Sequence, residues 1–126
     1  MKVVVSDPES GRSYQIELKE TETKKLIGLK IGDMISGEIL GLPGYELQIT
    51  GGSDRDGFPM RPDFAGIGRK KILLSGPPGF HPRRKGERRR KYVRGNQISE
   101  AIVQVNTKVV KRGEKPLEEI LKPKQG

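Results

Sequence analysis

The chain has 126 residues, one domain at about 100–200 residues each, and a hydrophobic fraction of 32% with 5% aromatics allows only a thin core. It has no cysteine, which excludes disulfides and thiolate metal sites, and no apolar run near the roughly 18 residues of a membrane span. A net charge of +9 points to a polyanionic partner, and a soluble cytoplasmic protein is the expected setting.

Residues 2–5 (KVVV) predict a short buried strand. Pro8 and Gly11 break the chain into a turn, and residues 13–18 alternate with Tyr14, Ile16 and Leu18 on one face, so the two runs form a hairpin. Residues 20–25 start a short helix. Residues 26–33, interrupted by Gly28 and Gly32, make a helical turn or compact loop. A strand over 34–40, with Ile35 and Ile39 inward, turns at Gly41, Pro43 and Gly44 into a strand over 45–50, where Tyr45, Leu47 and Ile49 alternate. Residues 51–68 read as a long Gly/Pro-rich loop, 70–75 as a strand, and 76–95 as a second long loop rich in arginine. Residues 98–111 are the longest strand-like segment, ended by Gly113. Pro116 to Leu121 predicts a short helix, and 122–126 a frayed tail. Short strands between glycine turns predict an all-β fold: a small closed or partly closed β-barrel over 1–114, with long loops, then a short C-terminal helix and tail over 115–126.

From Arg69 to Arg94 the chain holds eleven basic residues (Arg69, Lys70, Lys71, Arg83, Arg84, Lys85, Arg88, Arg89, Arg90, Lys91 and Arg94) against one acid, Glu87. That stretch carries +10, so the remainder sums to −1. A solvated coat would spread its charges. A concentrated patch faces a concentrated anion, and phosphate backbone is the commonest. Proline and glycine keep Phe80 to Gly95 out of a regular helix or strand, and arginine outnumbers lysine there six to two. The guanidinium fork grips phosphate bidentately and stacks on bases, whereas lysine is a point charge. Phe80, His81 and Tyr92 flank the charges and suit stacking on unpaired bases or riboses. No helix-turn-helix, zinc finger or basic zipper is visible, and an irregular Arg-rich loop suits a folded RNA's uneven surface better than a regular groove. The competing reading is a solvated charged face, whose like charges only salt would relieve.

The second feature is ITGGSDRDGFPM, Ile49 to Met60. Gly51 and Gly52 at a strand end permit a positive φ or the close approach of another chain. Asp54 suits an Asx-turn and Gly57 a second tight turn. Phe58, Pro59 and Met60 are apolar in a polar loop and need something to pack on. The block reads as a structural loop whose Phe58-Pro59-Met60 end can reach a partner. Asp54 and Asp56 have the spacing of a calcium loop but not its third ligand or closing glutamate. A magnesium nuclease on Asp54, Asp56 and Asp63 would lack an acid from a strand. The single histidine, His81, lies among cations and suits an RNA contact better than a general base. No catalytic residue, metal or cofactor is expected.

Three runs then resemble, in order, the sequence blocks of the eukaryotic/archaeal-type small-subunit ribosomal protein six family: Ile49 to Asp54 with Gly57 to Met60, Arg83 to Lys91 with Val93-Arg94-Gly95, and Val110 to Lys115. The likeness is to the archaeal form and extends to about Leu121. It implies a β-barrel body set on ribosomal RNA, a structural and non-catalytic constituent of the small ribosomal subunit in the cytoplasm. The implied partners are that RNA and neighbouring ribosomal proteins, with the chain monomeric within the ribosome and no membrane. RNA contact carries over to Arg83, Arg84, Lys85, Arg88, Arg89, Arg90, Lys91 and Arg94. The residue reading adds Arg69, Lys70, Lys71, His81 and Tyr92. The eukaryotic members' long basic C-terminal helix, with its phosphorylated serines, is expected to be absent. The runner-up is a free-standing RNA-binding or translation-associated module outside the ribosome.

Overall fold

The computed structural model describes residues 1–113. Along them run β1 (Lys2–Asp7), β2 (Arg12–Glu17), the single-turn helix α1 (Glu20–Thr23), β3 (Met34–Ser36), β4 (Glu46–Asp54), β5 (Arg69–Leu74), β6 (Arg89–Arg94) and β7 (Ile102–Lys111). The fold is all-β, and the helix expected over 116–121 lies outside the described residues. The strands form a five-stranded sheet, β2-β1-β7-β4-β3, and a two-stranded ribbon, β5-β6. All pairs are antiparallel except β1 with β7.

The expected barrel gives way to an open architecture: neither sheet closes on itself among the described residues, and β2 and β3 lie at opposite edges. The reason is local. β3 is only three residues long, and beyond it the free edge of β4 is taken by the segment after β4 rather than by β2. The Met60 N–H donates to the Gly52 carbonyl (3.0 Å), and on the other side the Arg94 N–H donates to the Pro59 carbonyl (2.8 Å) and the Arg61 N–H to the Arg94 carbonyl (3.0 Å). Residues 59–61 thus stitch the ribbon onto the sheet.

The main core forms on one face of the large sheet. Val3 and Val5 of β1, Tyr14 of β2, Leu47 and Ile49 of β4, and Ile102, Val105 and Val109 of β7 point into it, joined by Leu26, Tyr45, Met60 and Ile98. Thr107 is buried among them and donates its hydroxyl to the Val4 carbonyl at 2.9 Å, whereas the buried Tyr14 hydroxyl has no hydrogen-bond partner among the described residues. A smaller core of Leu74, Phe80 and Val93 lies under the ribbon.

Three segments differ from the sequence reading. Only 34–36 of the expected 34–40 strand is extended, and Gly37–Leu40 is a 3-10 turn. Ser36 caps that turn by accepting the Glu38 N–H (3.4 Å) and Gly41 ends it with φ 75°. The loop expected over 51–68 begins only after Asp54, because β4 continues through both glycines. The loop expected over 76–95 ends in β6, which pairs along its whole length with β5.

Gly52 sits where the β7 backbone comes close. A Cβ there would collide with the Gln104 carbonyl oxygen and stand 3.0 Å from the Met60 sulfur, whereas one at Gly51 would meet only the Asn106 Nδ2 at 3.9 Å. Gly52→Ala is therefore expected to cost about 1–3 kcal/mol by overpacking, and Gly51→Ala to shift stability by less than about 1 kcal/mol. Equal urea midpoints for the two variants would contradict this close approach.

Candidate nucleic-acid interface

In an antiparallel ribbon, directly opposed residues share a face. The register pairs Lys70 with Val93, Ile72 with Lys91 and Leu74 with Arg89, so each step of this face sets one apolar side chain of the small core beside one cation. The outer face pairs Arg69 with Arg94, Lys71 with Tyr92 and Leu73 with Arg90. The β6 segment has only one buried side chain, Val93, and its run of cations is held in strand form by pairing with β5.

The basic residues divide into two groups. Arg94 donates from Nε to Asp54 Oδ2 at 2.9 Å and from Nη1 to the Ile67 carbonyl at 3.0 Å. Arg69 lies 3.2 Å from the same Asp54 oxygen and 2.6 Å from Asp56 Oδ2. Asp54 is buried, and its other oxygen accepts the N–H groups of Asp56 and Phe58, both at 2.9 Å, which forms the turn after β4. Burial pushes the Asp54 carboxyl up, but the Arg94 hydrogen bond, the two N–H groups and the Arg69 charge outweigh it and hold the group below its ordinary range. These two arginines brace the fold as well as adding charge.

The second group faces solvent. Lys70, Lys71, Arg83, Arg84, Lys85, Arg88, Arg89, Arg90 and Lys91 are all exposed. Among the described residues Glu87 is the one acid in this group's neighbourhood: it accepts the Arg83 N–H (3.3 Å) and lies 3.8 Å from the Arg89 Nε. Residues 83–87 make a tight turn in which the Glu87 N–H donates to the Arg84 carbonyl at 3.2 Å and Gly86 takes φ 79°. The turn presents its cations outward around clefts lined by Arg83, Arg84, Lys85 and Arg89 on one side and His81, Arg89 and Lys91 on the other.

The aromatic residues are rearranged relative to the sequence reading. Phe80 is buried in the small core and offers no ring for stacking, because Leu74 and Val93 need an apolar cover. Phe58 takes the outer position instead. Its ring centroid is 5.8 Å from that of Tyr92, and the Arg69 guanidinium lies over it at 4.6 Å. Met60 is buried in the main core, while Tyr92 is half exposed with the Lys71 ammonium 5.8 Å from its ring.

The nuclease arrangement does not assemble, since each of its carboxylates faces a guanidinium. Asp54 and Asp56 face Arg94 and Arg69, and Asp63 makes a bidentate pair with Arg61 at 2.9 and 3.0 Å. No group of three acids or histidines able to hold a metal occurs among the described residues. Arg61, which composition does not distinguish from other arginines, also donates to the Gly76 and Pro78 carbonyls at 3.0 and 2.6 Å and so ties the loop after β5 to the stitching segment. The usable signal was its neighbour two positions on, Asp63.

The family model described as Ribosomal protein S6e matches residues 1–122. Similar proteins include the small ribosomal subunit protein eS6 of Archaeoglobus fulgidus, 58% identical over 125 residues that cover 98% of this chain and 97% of the relative. The eS6 protein of Methanocaldococcus jannaschii is 58% identical over 120 residues, covering 95% and 89%. That of Staphylothermus marinus is 62% identical over 97 residues, 77% of this chain and 45% of a longer relative. With the family pattern matched from the first strand through and beyond the last, and with two relatives 58% identical over nearly whole chains, the chain belongs to the Ribosomal protein S6e family.

Proposed function

We propose that this chain is a structural, non-catalytic constituent of the small ribosomal subunit that grips ribosomal RNA with the cations of residues 83–91 and the outer face of the β5-β6 ribbon. Its setting is the ribosome, and so the cytoplasm, beside neighbouring ribosomal proteins. One observation carries the reading of the interface: Arg69 and Arg94 are paired with Asp54 and Asp56, yet nine other basic residues of the stretch stay exposed with one acid among them. Such a field costs self-repulsion that a polyanion relieves. Family membership favours the ribosome over a free-standing module. Gradient fractionation of a lysate tests this. One copy per small subunit is expected, and a protein found mainly away from the subunits would favour the module outside the ribosome.

A further inference from the structure

On the outer face of the ribbon a cleft of about 550 Å³ opens beside Tyr92, lined also by Phe58, Pro59, Lys71, His81 and Arg90. That volume lies within the range of small-molecule sites, about 300–1,000 Å³. No carboxylate lines it, and its rim carries Lys71 and Arg90. Tyr14 and Tyr45 are buried, but Tyr92 is 49% exposed on a surface otherwise rich in cations. Its ring is braced by Phe58 at 5.8 Å, and Phe58 in turn lies under Arg69, which Asp54 and Asp56 hold. An aromatic surface fixed in this way loses little side-chain freedom when a flat ligand settles on it.

We infer that this cleft takes one unpaired nucleobase of the bound RNA, stacked on Tyr92, whose ring Phe58 braces from the side at an interplanar angle of 57°, with the adjoining phosphates held by Lys71 and Arg90. The inference rests on the RNA-binding reading above and adds a site for a base to a surface otherwise built for backbone. Every base has a π-face, so stacking serves any base, and the flanking cations match the charge on either side of it. A stacked base is the ligand whose chemistry combines a flat apolar ring with anionic neighbours on both sides.

The test compares a short oligoadenylate with an abasic ribose-phosphate chain of the same length, binding each to the full chain and to two variants. Tyr92→Phe keeps the ring. Tyr92→Val removes it but keeps a strand-favouring residue at a half-exposed position that contributes no core packing. The wild type and Tyr92→Phe are expected to bind oligoadenylate roughly 5- to 100-fold more tightly than the abasic chain, and Tyr92→Val to lose that preference at an unchanged salt slope. Equal affinity of the wild type for both chains, with steep salt dependence intact, would overturn the base site and leave the RNA-binding reading standing. A preference that survives in Tyr92→Val would overturn it as well. Binding of neither chain, or binding without salt dependence, would remove both.

Discussion

Replacing Arg88, Arg89 and Arg90 together by alanine is expected to weaken binding to small-subunit RNA and to flatten its salt dependence, while leaving the fold in place. The physical basis is counterion release. Each phosphate neutralised adds to the slope of log affinity against log salt, so a surface making six to eight contacts loses on the order of a thousandfold or more between 50 and 200 mM salt. Removing three contacts should reduce that loss by roughly 20- to 40-fold. These side chains are exposed, and Glu87 near Arg89 is their one acidic contact among the described residues. Stability therefore has little to lose from their removal. Arg→Lys at the same positions should keep the slope and lower the affinity, because lysine retains charge without the bidentate fork. An unchanged slope in the alanine variant, or its unimpaired incorporation into small subunits, would refute the assignment of this segment.

Asp54→Ala is expected to cost about 3–5 kcal/mol of stability, the range for removing one partner of a buried ion pair. Against a total of about 5–15 kcal/mol for a domain, that brings the variant near unfolding. The larger share comes from Arg94, whose side chain is 16% exposed, and the smaller from Arg69, at 31%. The same carboxylate also holds the Asp56 and Phe58 N–H groups. Asp54→Asn keeps an acceptor for those two donors and loses only the charge, so its cost should be smaller. The sign of the pH dependence follows. The folded-state carboxyl lies below its ordinary value, so its contribution is complete above that value and is lost as pH falls through the folded one, that is, below about pH 4. Asp7, which burial at the end of β1 pushes up but the Arg112 guanidinium hydrogen-bonded to its Oδ1 holds low, and Asp63, held low by Arg61, give way in the same direction. Denaturant unfolding at neutral and acid pH checks both claims. An Asn variant with the wild type's full loss of stability on acidification would show that Asp54 is not one of the groups responsible.

What could be read from residue order depended on whether apolar alternation or tertiary contact decides the element. Val3 and Val5, Tyr14, and Leu47 and Ile49 alternate cleanly and mark strands whose inward faces the structure buries. The segment 34–40 carries Ile35 and Ile39 at a spacing that suits a strand, but the decisive residues are Ser36 and Gly41, a cap and a left-handed stop. β6 has no alternation to detect. Val93 alone turns inward from a run of cations, and the strand exists because β5 pairs with it. The glycines of β4 resemble loop residues until β7 is seen pressing against Gly52. At the interface, the concentration of charge was visible in the composition of 69–94. Its division was not, because nothing in the local sequence distinguishes Arg94, forty positions from Asp54, from Arg90 four positions before it. Phe80 and Phe58 exchanged roles for the same reason: burial is a property of what packs above a ring, not of its neighbours in the chain.

The placement of β7 between β1 and β4 also governs how this domain is made. Val3 pairs with Val105, so the N-terminal hairpin acquires its inner neighbour only when nearly all the described chain has been synthesised. A nascent polypeptide of this topology emerges with an unshielded valine-rich edge, and the β1–β7 pairing is a long-range closure of the slow kind typical of β architectures. Acquisition of structure is thereby timed to the arrival of the last pairing segment, and until then the basic ribbon has no finished body to be anchored to.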